Sequence, residues 1–165
     1  KLMSTPTISE ENYLKAIYKL SGNDQPVSTN VLARELGTSA ASASDMLRRL
    51  SEKGYLVYKR YYGARMTEKG TRLARSIIRK HRLWETFLVE KLQFGWEQVH
   101  EVAEQLEHVQ HPLLIQRLDA YLGYPRYDPH GAPIPDAQGL DAPTEKGAPG
   151  HAGPTEDDAD GRPTD

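Results

Sequence analysis

Two short helix-forming stretches joined by a tight break constrain the fold of this chain more than any other part of its sequence. "STNVLAREL" (residues 28–36) and "TSAASASDMLRRLSEK" (residues 38–53) carry apolar residues at helical spacing, with Gly37 and Gly54 as stops and Thr38 or Ser39 as the second cap. Two short helices around "GTSA", the second rich in small polar residues, form the pattern of a helix-turn-helix. Five apolar positions are predicted to join them: Leu32, Leu36, Met46, Leu47 and Leu50.

The second helix has the composition of a helix that enters the major groove of DNA. Asp45 can accept a hydrogen bond from a cytosine amine, although a cap or an ion pair fits it equally well. Arg48 and Arg49 follow on the same helix and suit phosphate contacts. Small side chains at the leading end let the backbone approach the bases, and serine hydroxyls can bond base edges or phosphates. These positions are Ser39, Ala40, Ala41, Ser42 and Ser44.

The next segment, "YLVYKRYYGARMT" (residues 55–67), is predicted to form two short strands. β-Branched and aromatic residues surround a turn at residues 62–64. The segment carries Lys59, Arg60 and Arg65, so it fits the wing of a winged helix laid along a DNA backbone. The wing makes DNA binding the favoured interpretation of this half.

Charge is distributed unevenly along the chain. The formal net charge is −2, yet residues 27–82 hold thirteen Lys/Arg against four Asp/Glu, and residues 136–165 hold eight acidic and two basic side chains. A basic block with helical patterning indicates an anionic partner, nucleic acid first, or else a solvated helix surface. The tail, residues 138–165, is almost free of large apolar side chains and is predicted to be disordered.

Long helices account for most of the remaining sequence. "TISE" (residues 7–10) is a capping box that opens a first helix, and Thr67 caps a long basic helix that runs to about Glu90. Two more helices are predicted, one from Trp96 to His108 and one from Pro112, capped by His111 and ended by Gly123.

The fifth helix gathers groups that bind metal ions. With Glu104 at zero and 100° per residue, three side chains fall within about 60° of it: His100, Glu107 and His108. Apolar residues fall on the opposite side: Val99, Val102, Leu106, Val109 and Leu113. No Lys or Arg lies between Glu97 and Gln116 to balance the glutamates.

A second pair strengthens the prediction of a metal site. His81 and Glu85 are spaced i,i+4 on the preceding helix, and antiparallel packing of the two helices would place them beside the first group. The chain has no cysteine, so neither a disulfide nor a thiolate site is possible. Imidazole with carboxylate suits Mn²⁺ or Fe²⁺, and zinc or cobalt would also bind. A solvated surface is the alternative, and no HExxH signature of a hydrolytic metal enzyme is present.

The predicted fold is therefore mainly α. A winged helix-turn-helix DNA-binding domain (residues 1–72) precedes an α-helical metal-binding and dimerisation domain (73–137) and an acidic Pro/Gly-rich tail (138–165). No apolar run reaches the length of a membrane span and no signal peptide is visible, so we expect a cytoplasmic protein with no membrane partner.

From residue 7 to residue 135 the chain resembles the diphtheria toxin repressor and manganese transport regulator family of metal-dependent transcription repressors. The resemblance rests on the order and spacing of six stretches: "ENYLKAIYKL", "RRLSEKGYLVY", "MTEKGTRLA", "RKHRLWETFL", "VHEVAEQLEHV" and "DPHGAPIP".

The resemblance implies two metal positions, with one or two ions per subunit. His81, Glu85 and His100 belong to one, and Glu104, Glu107 and His108 to the other or shared with it. A Glu rather than a Cys at position 104 goes with manganese preference in such families. The family position in the first helix falls on Asn12, where Met or Asp is usual, and Lys15 stands where manganese regulators tend to have Glu.

The resemblance also implies a homodimer that binds a palindromic operator in double-stranded DNA. Five apolar residues could serve its interface or pack within one subunit: Trp96, Leu113, Leu114, Leu118 and Tyr121. We expect a repressor of metal-uptake genes, activated by Mn²⁺ or Fe²⁺, and not an enzyme. Two alternatives remain open: a metal-independent winged-helix regulator with a small-molecule effector, and a metal-dependent enzyme or metal buffer.

Overall fold

A computed structural model describes residues 5–22 and 24–138 of the chain. Within these residues the fold consists of six helices and one two-stranded antiparallel sheet, so the predicted mainly α class is confirmed. The elements are α1 (Ile8–Leu20), α2 (Thr29–Leu36), α3 (Ala40–Glu52), β1 (Leu56–Lys59), β2 (Gly63–Met66), α4 (Glu68–Leu92), α5 (Trp96–Leu106) and α6 (Pro112–Tyr121).

The predicted helix starts are confirmed by capping hydrogen bonds. The hydroxyl oxygen of Ser39 accepts from the backbone N–H of Ser42 at 3.1 Å and opens α3. Thr7, Thr67 and His111 cap α1, α4 and α6 in the same way. Gly37 follows α2 in the left-handed region at φ 63°, the conformation that ends a helix most readily in glycine.

The two strands form a hairpin that is tied to the α1–α2 connection. Leu56 pairs with Met66 and Lys59 with Gly63, and the backbone of Val27 exchanges two 2.8 Å hydrogen bonds with Ala64. Gly63 is required here, because a Cβ on it would lie 2.4 Å from the carbonyl oxygen of Val27. The hairpin is thus fixed beside α3 as the predicted wing.

Separate apolar clusters lie in the two halves of the fold. The first packs α1, α2, α3 and the hairpin around Leu14, Ile17 and Leu47, and it contains the predicted helix-turn-helix contacts. In the second half, Leu83 of α4 packs against Ile115, Leu118 and Ile134, while Leu88 packs against α5. α4 runs without a break from the wing into this second half and contacts α1, α5 and α6.

The prediction of an apolar face on the fifth helix is partly wrong near the end of that helix. α5 ends at Leu106, two residues before the predicted His108, so the projection of a continuous helix does not apply beyond it. Val109 and Leu113, which the projection placed with the core residues, are 38% and 48% exposed. After Leu106 the chain turns at Glu107 and His108 and continues to Pro112, where α6 begins.

The other boundaries differ little from the prediction. α4 ends at Leu92 instead of Glu90, and α6 ends at Tyr121. The domain limits at 72 and 137 stay a prediction, with the first of them falling inside α4. Beyond Gln138, the tail predicted to be disordered lies outside the described residues. In the described part of the chain, no helix combines the length and the apolar character needed to cross a membrane.

We expect Gly70→Ala to destabilise the fold although alanine is the better helix former. Gly70 lies in the first turn of α4, where a Cβ would meet the carbonyl oxygen of Tyr55 at 1.9 Å. Overpacking against backbone costs about 1–3 kcal/mol, which should lower the thermal midpoint by roughly 3–9 °C. Gly22→Ala is the matched control, because nothing lies within 4 Å of its added Cβ. Equal midpoints for the two variants, measured by circular dichroism, would refute the contact.

Candidate metal centre and nucleic-acid interface

Three predicted ligands converge between α4 and α5. His81 and Glu85 lie one turn apart on α4 and are buried, while His100 reaches them from α5 and is exposed. His81 Nε2 contacts Glu85 Oε1, and His100 Nδ1 lies 4.0 Å from the same oxygen. One ligand atom from each residue lies within 4.8 Å of the others.

Two further residues join this group that sequence reasoning did not identify as ligands. His130 Nδ1 lies 3.0 Å from Glu85 Oε2, and Asp128 completes a second set of three ligand atoms within 4.8 Å. We refer to His81, Glu85, His100, Asp128 and His130 as the outer cluster. Glu85 is shared by both of its sets.

The segment that carries Asp128 and His130 is held against α4 by polar contacts. Asp128 Oδ1 accepts from the backbone N–H groups of His130 and Ala132, which closes a turn. Arg79 donates to the carbonyl oxygen of Pro135 at 3.1 Å, and Arg82 donates to that of Pro133. The sequence "DPHG" indicates such a turn, but nothing in it shows that the turn returns to Glu85.

The carboxylate of Glu85 is the group in the outer cluster that favours a cation. Burial alone would raise the pKa of Glu85, but the hydrogen bond and charge of His81, with His130 and His100 nearby, hold it below its ordinary value. Burial would lower the pKa of His81, but hydrogen bonds to Glu107 and Glu85 raise it above its ordinary value, so a metal ion at this ring has to displace a proton. Glu85 Oε2 is buried, and His130 Nδ1 lies 3.0 Å from it without the geometry of a hydrogen bond. An ionised, under-satisfied carboxylate among three imidazoles fits a divalent ion with nitrogen and oxygen ligands.

The remaining predicted ligands lie at the end of α5 and form a different arrangement, the inner cluster: Glu104, Glu107 and His108, with Lys15 of α1. Glu107 is fully buried; its Oε1 accepts from Lys15 Nζ at 2.5 Å and its Oε2 lies 2.7 Å from His81 Nδ1. Glu104 is half-exposed and pairs with His100 Nε2 at 2.9 Å. His108 Nδ1 lies 3.1 Å from Glu11 Oε1.

Asn12 lines a cavity of about 600 Å³ between α1, α2 and α5, and within the described residues it forms no hydrogen bond with these carboxylates. Lys15, Glu104 and His108 line the same cavity. Over residues 5–22 and 24–138, sets of three convergent ligand atoms occur at the outer cluster and not among Glu104, Glu107 and His108.

The predicted DNA-reading residues lie on one surface formed by α3 and the hairpin. Ser44 is half-buried and its Oγ lies 3.3 Å from the hydroxyl of Tyr58 on β1, and Asp45 pairs with Arg48 at 2.5 Å. Arg49 is exposed beside them. The others are also exposed: Ser39, Ala40, Ala41, Ser42, Lys59, Arg60 and Arg65.

Two aromatic residues at the tip of the hairpin extend this surface and were not among the predicted contacts. Tyr61 and Tyr62 are 91% and 77% exposed, and the guanidinium of Arg60 lies 5.2 Å from the ring centre of Tyr61. In the sequence these tyrosines indicate only that the segment forms strands. Exposed aromatic and basic side chains on one hairpin suit contact with a sugar–phosphate backbone.

The fold and site together define a class of protein: a winged helix with an exposed recognition surface, joined through a continuous helix to a domain that carries a histidine–carboxylate cluster. Sequence profiles of one family cover both parts. The "Iron dependent repressor, N-terminal DNA binding domain" matches residues 6–64, and the "Iron dependent repressor, metal binding and dimerisation domain" matches residues 67–136. The chain belongs to this family of metal-dependent transcription repressors.

Individual relatives agree with this assignment. An uncharacterized HTH-type transcriptional regulator of Methanocaldococcus jannaschii is 34% identical over 69% of this chain and 92% of its own length. The iron-dependent repressor IdeR of Mycobacterium tuberculosis is 35% identical over 84% of this chain, and a solved manganese-dependent transcriptional repressor in complex with manganese is 42% identical over 81%, with a TM-score of 0.73. The chain spans 60% and 61% of the lengths of these two proteins.

Proposed function

We propose that this protein is a metal-activated DNA-binding regulator that acts as a homodimeric repressor of metal-uptake genes. It would act where the DNA lies, in the cytoplasm, and as a regulator and not as an enzyme. Mn²⁺ or Fe²⁺ is the proposed activating ion, because the ligands are imidazoles and carboxylates without thiolate.

One observation carries the proposal: polar contacts run without interruption from the outer cluster to the first helix of the DNA-binding half. His81 contacts Glu85 through one ring nitrogen and Glu107 through the other, and Glu107 contacts Lys15 of α1. A histidine that offers Nε2 to an ion and Nδ1 to a carboxylate has its ring orientation fixed from both sides. A shift of the His81 ring on metal binding would therefore act on α1 through its contacts with Glu107 and Lys15.

Within this scheme each proposed ligand has a defined place. His81, Glu85 and His100, with Asp128 and His130, would hold the ion, which supplies positive charge that draws α4, α5 and the segment after α6 together. The side chains that connect this cluster to α1 are Glu107 and Lys15. Because α1 packs in the core beneath α3, its position affects how the recognition surface is presented.

Exposed apolar side chains on α5 and α6 support the dimer. Trp96, Leu113, Leu114 and Tyr121 are between 38% and 64% exposed, while Leu118 is buried within the subunit. A patch of large apolar residues rimmed by polar ones is typical of a protein–protein interface. A two-fold dimer would place two recognition surfaces on one duplex and so favours a palindromic operator.

Operator affinity should rise when Mn²⁺ is present. Randomised duplexes are enriched on the protein with Mn²⁺, and the affinity for the enriched duplex is then measured by fluorescence anisotropy with Mn²⁺ and with a chelator. A coupling free energy of about 1–3 kcal/mol, the usual size between two linked sites, gives an increase of about 5–150-fold. Equal affinity in both conditions, or no enriched duplex, would contradict the proposal.

A second candidate rests on the cavity of about 600 Å³ between α1, α2 and α5. Its position beside both halves suits a small-molecule effector of a metal-independent winged-helix regulator. The same experiment separates the two functions, because a metal-independent regulator would keep its operator affinity in chelator.

A further inference from the structure

The inner cluster already contains a cation that belongs to the protein. Lys15 lies in the middle of α1 and is only 9% exposed, whereas lysine side chains are rarely buried unless they are paired. Its Nζ lies 2.5 Å from Glu107 Oε1 and 4.0 Å from Glu104 Oε1. The ammonium therefore lies against the two carboxylates that a metal at this position would need.

Both carboxylate oxygens of Glu107 already contact neighbouring side chains. Oε1 accepts from Lys15 and Oε2 is bonded to His81, and burial excludes water from both. Glu107 is thus held from both sides by Lys15 and His81.

The other members of the inner cluster also have partners, and His108 Nε2 lies 3.6 Å from Glu107 Oε1. Glu104 pairs with His100 on the outer side, and His108 faces Glu11 of α1. Asn12 offers a neutral amide and adds no negative charge. An ion among these groups would have to displace Lys15 from Glu107 and remain beside a like charge, so the residues present do not fit a metal at the inner cluster.

We infer that the ammonium of Lys15 takes the place of a metal at the inner cluster, so that each subunit binds one divalent ion, at the outer cluster. α1 is then joined to the end of α5 whether or not metal is present. The inference rests on the proposed function of the outer cluster and fixes how many ions regulate it. Mn²⁺ binding should follow a single-site isotherm without cooperativity between sites of one subunit.

The test counts Mn²⁺ ions per subunit by isothermal titration calorimetry and by elemental analysis after gel filtration. The wild-type protein should bind one ion and Glu85→Gln none. Lys15→Glu supplies a carboxylate and removes the ammonium, so it should bind two ions, and one in combination with Glu85→Gln. Lys15→Met removes the positive charge without adding a carboxylate, and it keeps the test informative if Lys15→Glu does not fold. Without metal, Lys15→Met should have a lower thermal midpoint than the wild type, because Glu107 loses its partner.

Lys19→Met is the matched control. Lys19 lies one turn further along α1 and lines the same cavity, so its loss removes an equal charge while the contact between Lys15 and Glu107 remains. This variant should bind one ion, like the wild type, and should keep the wild-type thermal midpoint without metal.

Three results would overturn the inference. They are two ions in the wild type, one ion retained in Glu85→Gln with Lys15 intact, and an unchanged midpoint in Lys15→Met. If the wild type binds two ions and its operator binding depends on metal, the inference fails but the proposed function stands. No ion in the wild type would overturn the proposed function as well, and one ion with metal-independent operator binding would overturn only the proposed function.

Discussion

Glu85→Gln is expected to lower the affinity for Mn²⁺ by about 100-fold or more, since losing even a residue that supports a metal ligand typically costs 10–100-fold. Glu85 is the member common to both sets of convergent ligand atoms. Its Oε1 faces the rings of His81 and His100, and its Oε2 faces His130. Glutamine has nearly the same size, but it carries no charge and directs an amide donor at one of the imidazoles. Both sets therefore lose their shared carboxylate in a single substitution.

Isothermal titration with Mn²⁺ measures this loss directly. Glu90→Gln is the control, because Glu90 lies on the same helix but is exposed and belongs to neither set. His81 keeps its contact with Glu107 in the Glu85 variant, so the helix content measured by circular dichroism should not change. Wild-type affinity in a folded Glu85→Gln protein would exclude the outer cluster as the metal site.

The helices and the wing could be predicted because the signals that determine them are local. Ser39 and Thr67 cap the helices that follow them, and Gly37 adopts the left-handed conformation that its position requires. The end of α5 could not be predicted in the same way. Nothing in the periodicity of residues 99–109 indicates that the helix stops at Leu106, and the buried position of Glu107 depends on that stop.

The candidate site could be predicted only where its residues share a helix or neighbouring helices. His81 and Glu85 are one turn apart on α4, so their spacing alone brings them together. The contacts of Asp128 with the outer cluster and of Lys15 with Glu107 join residues far apart in the sequence. Lys15 stood out in the sequence as a residue that does not ligate metal, and only the contact of α1 with the residue after α5 shows that it pairs with Glu107.

Replacing Arg48 and Arg49 together by alanine should lower operator affinity by about 100-fold, with about tenfold, or 1.4 kcal/mol, for each lost contact. Both are exposed on the recognition helix beside the small residues of its leading end. Arg48 is already paired with Asp45 at 2.5 Å, so part of its charge is neutralised before DNA binds. Arg49 forms no ion pair within the described residues, and Arg49→Ala should therefore have the larger effect of the two single substitutions.

Salt dependence separates a phosphate contact from a general loss of fold or charge. Each phosphate contact that is lost should reduce the slope of log affinity against log salt by about 0.9. Arg126→Ala is the control, because Arg126 is exposed after α6, away from the recognition surface, and its removal changes the net charge by the same amount as each single substitution. Mn²⁺ binding should be unaffected in all of these variants, since none of the three arginines belongs to the outer cluster. An Arg48/Arg49 double variant that keeps both its operator affinity and its salt slope would show that DNA is not bound through α3.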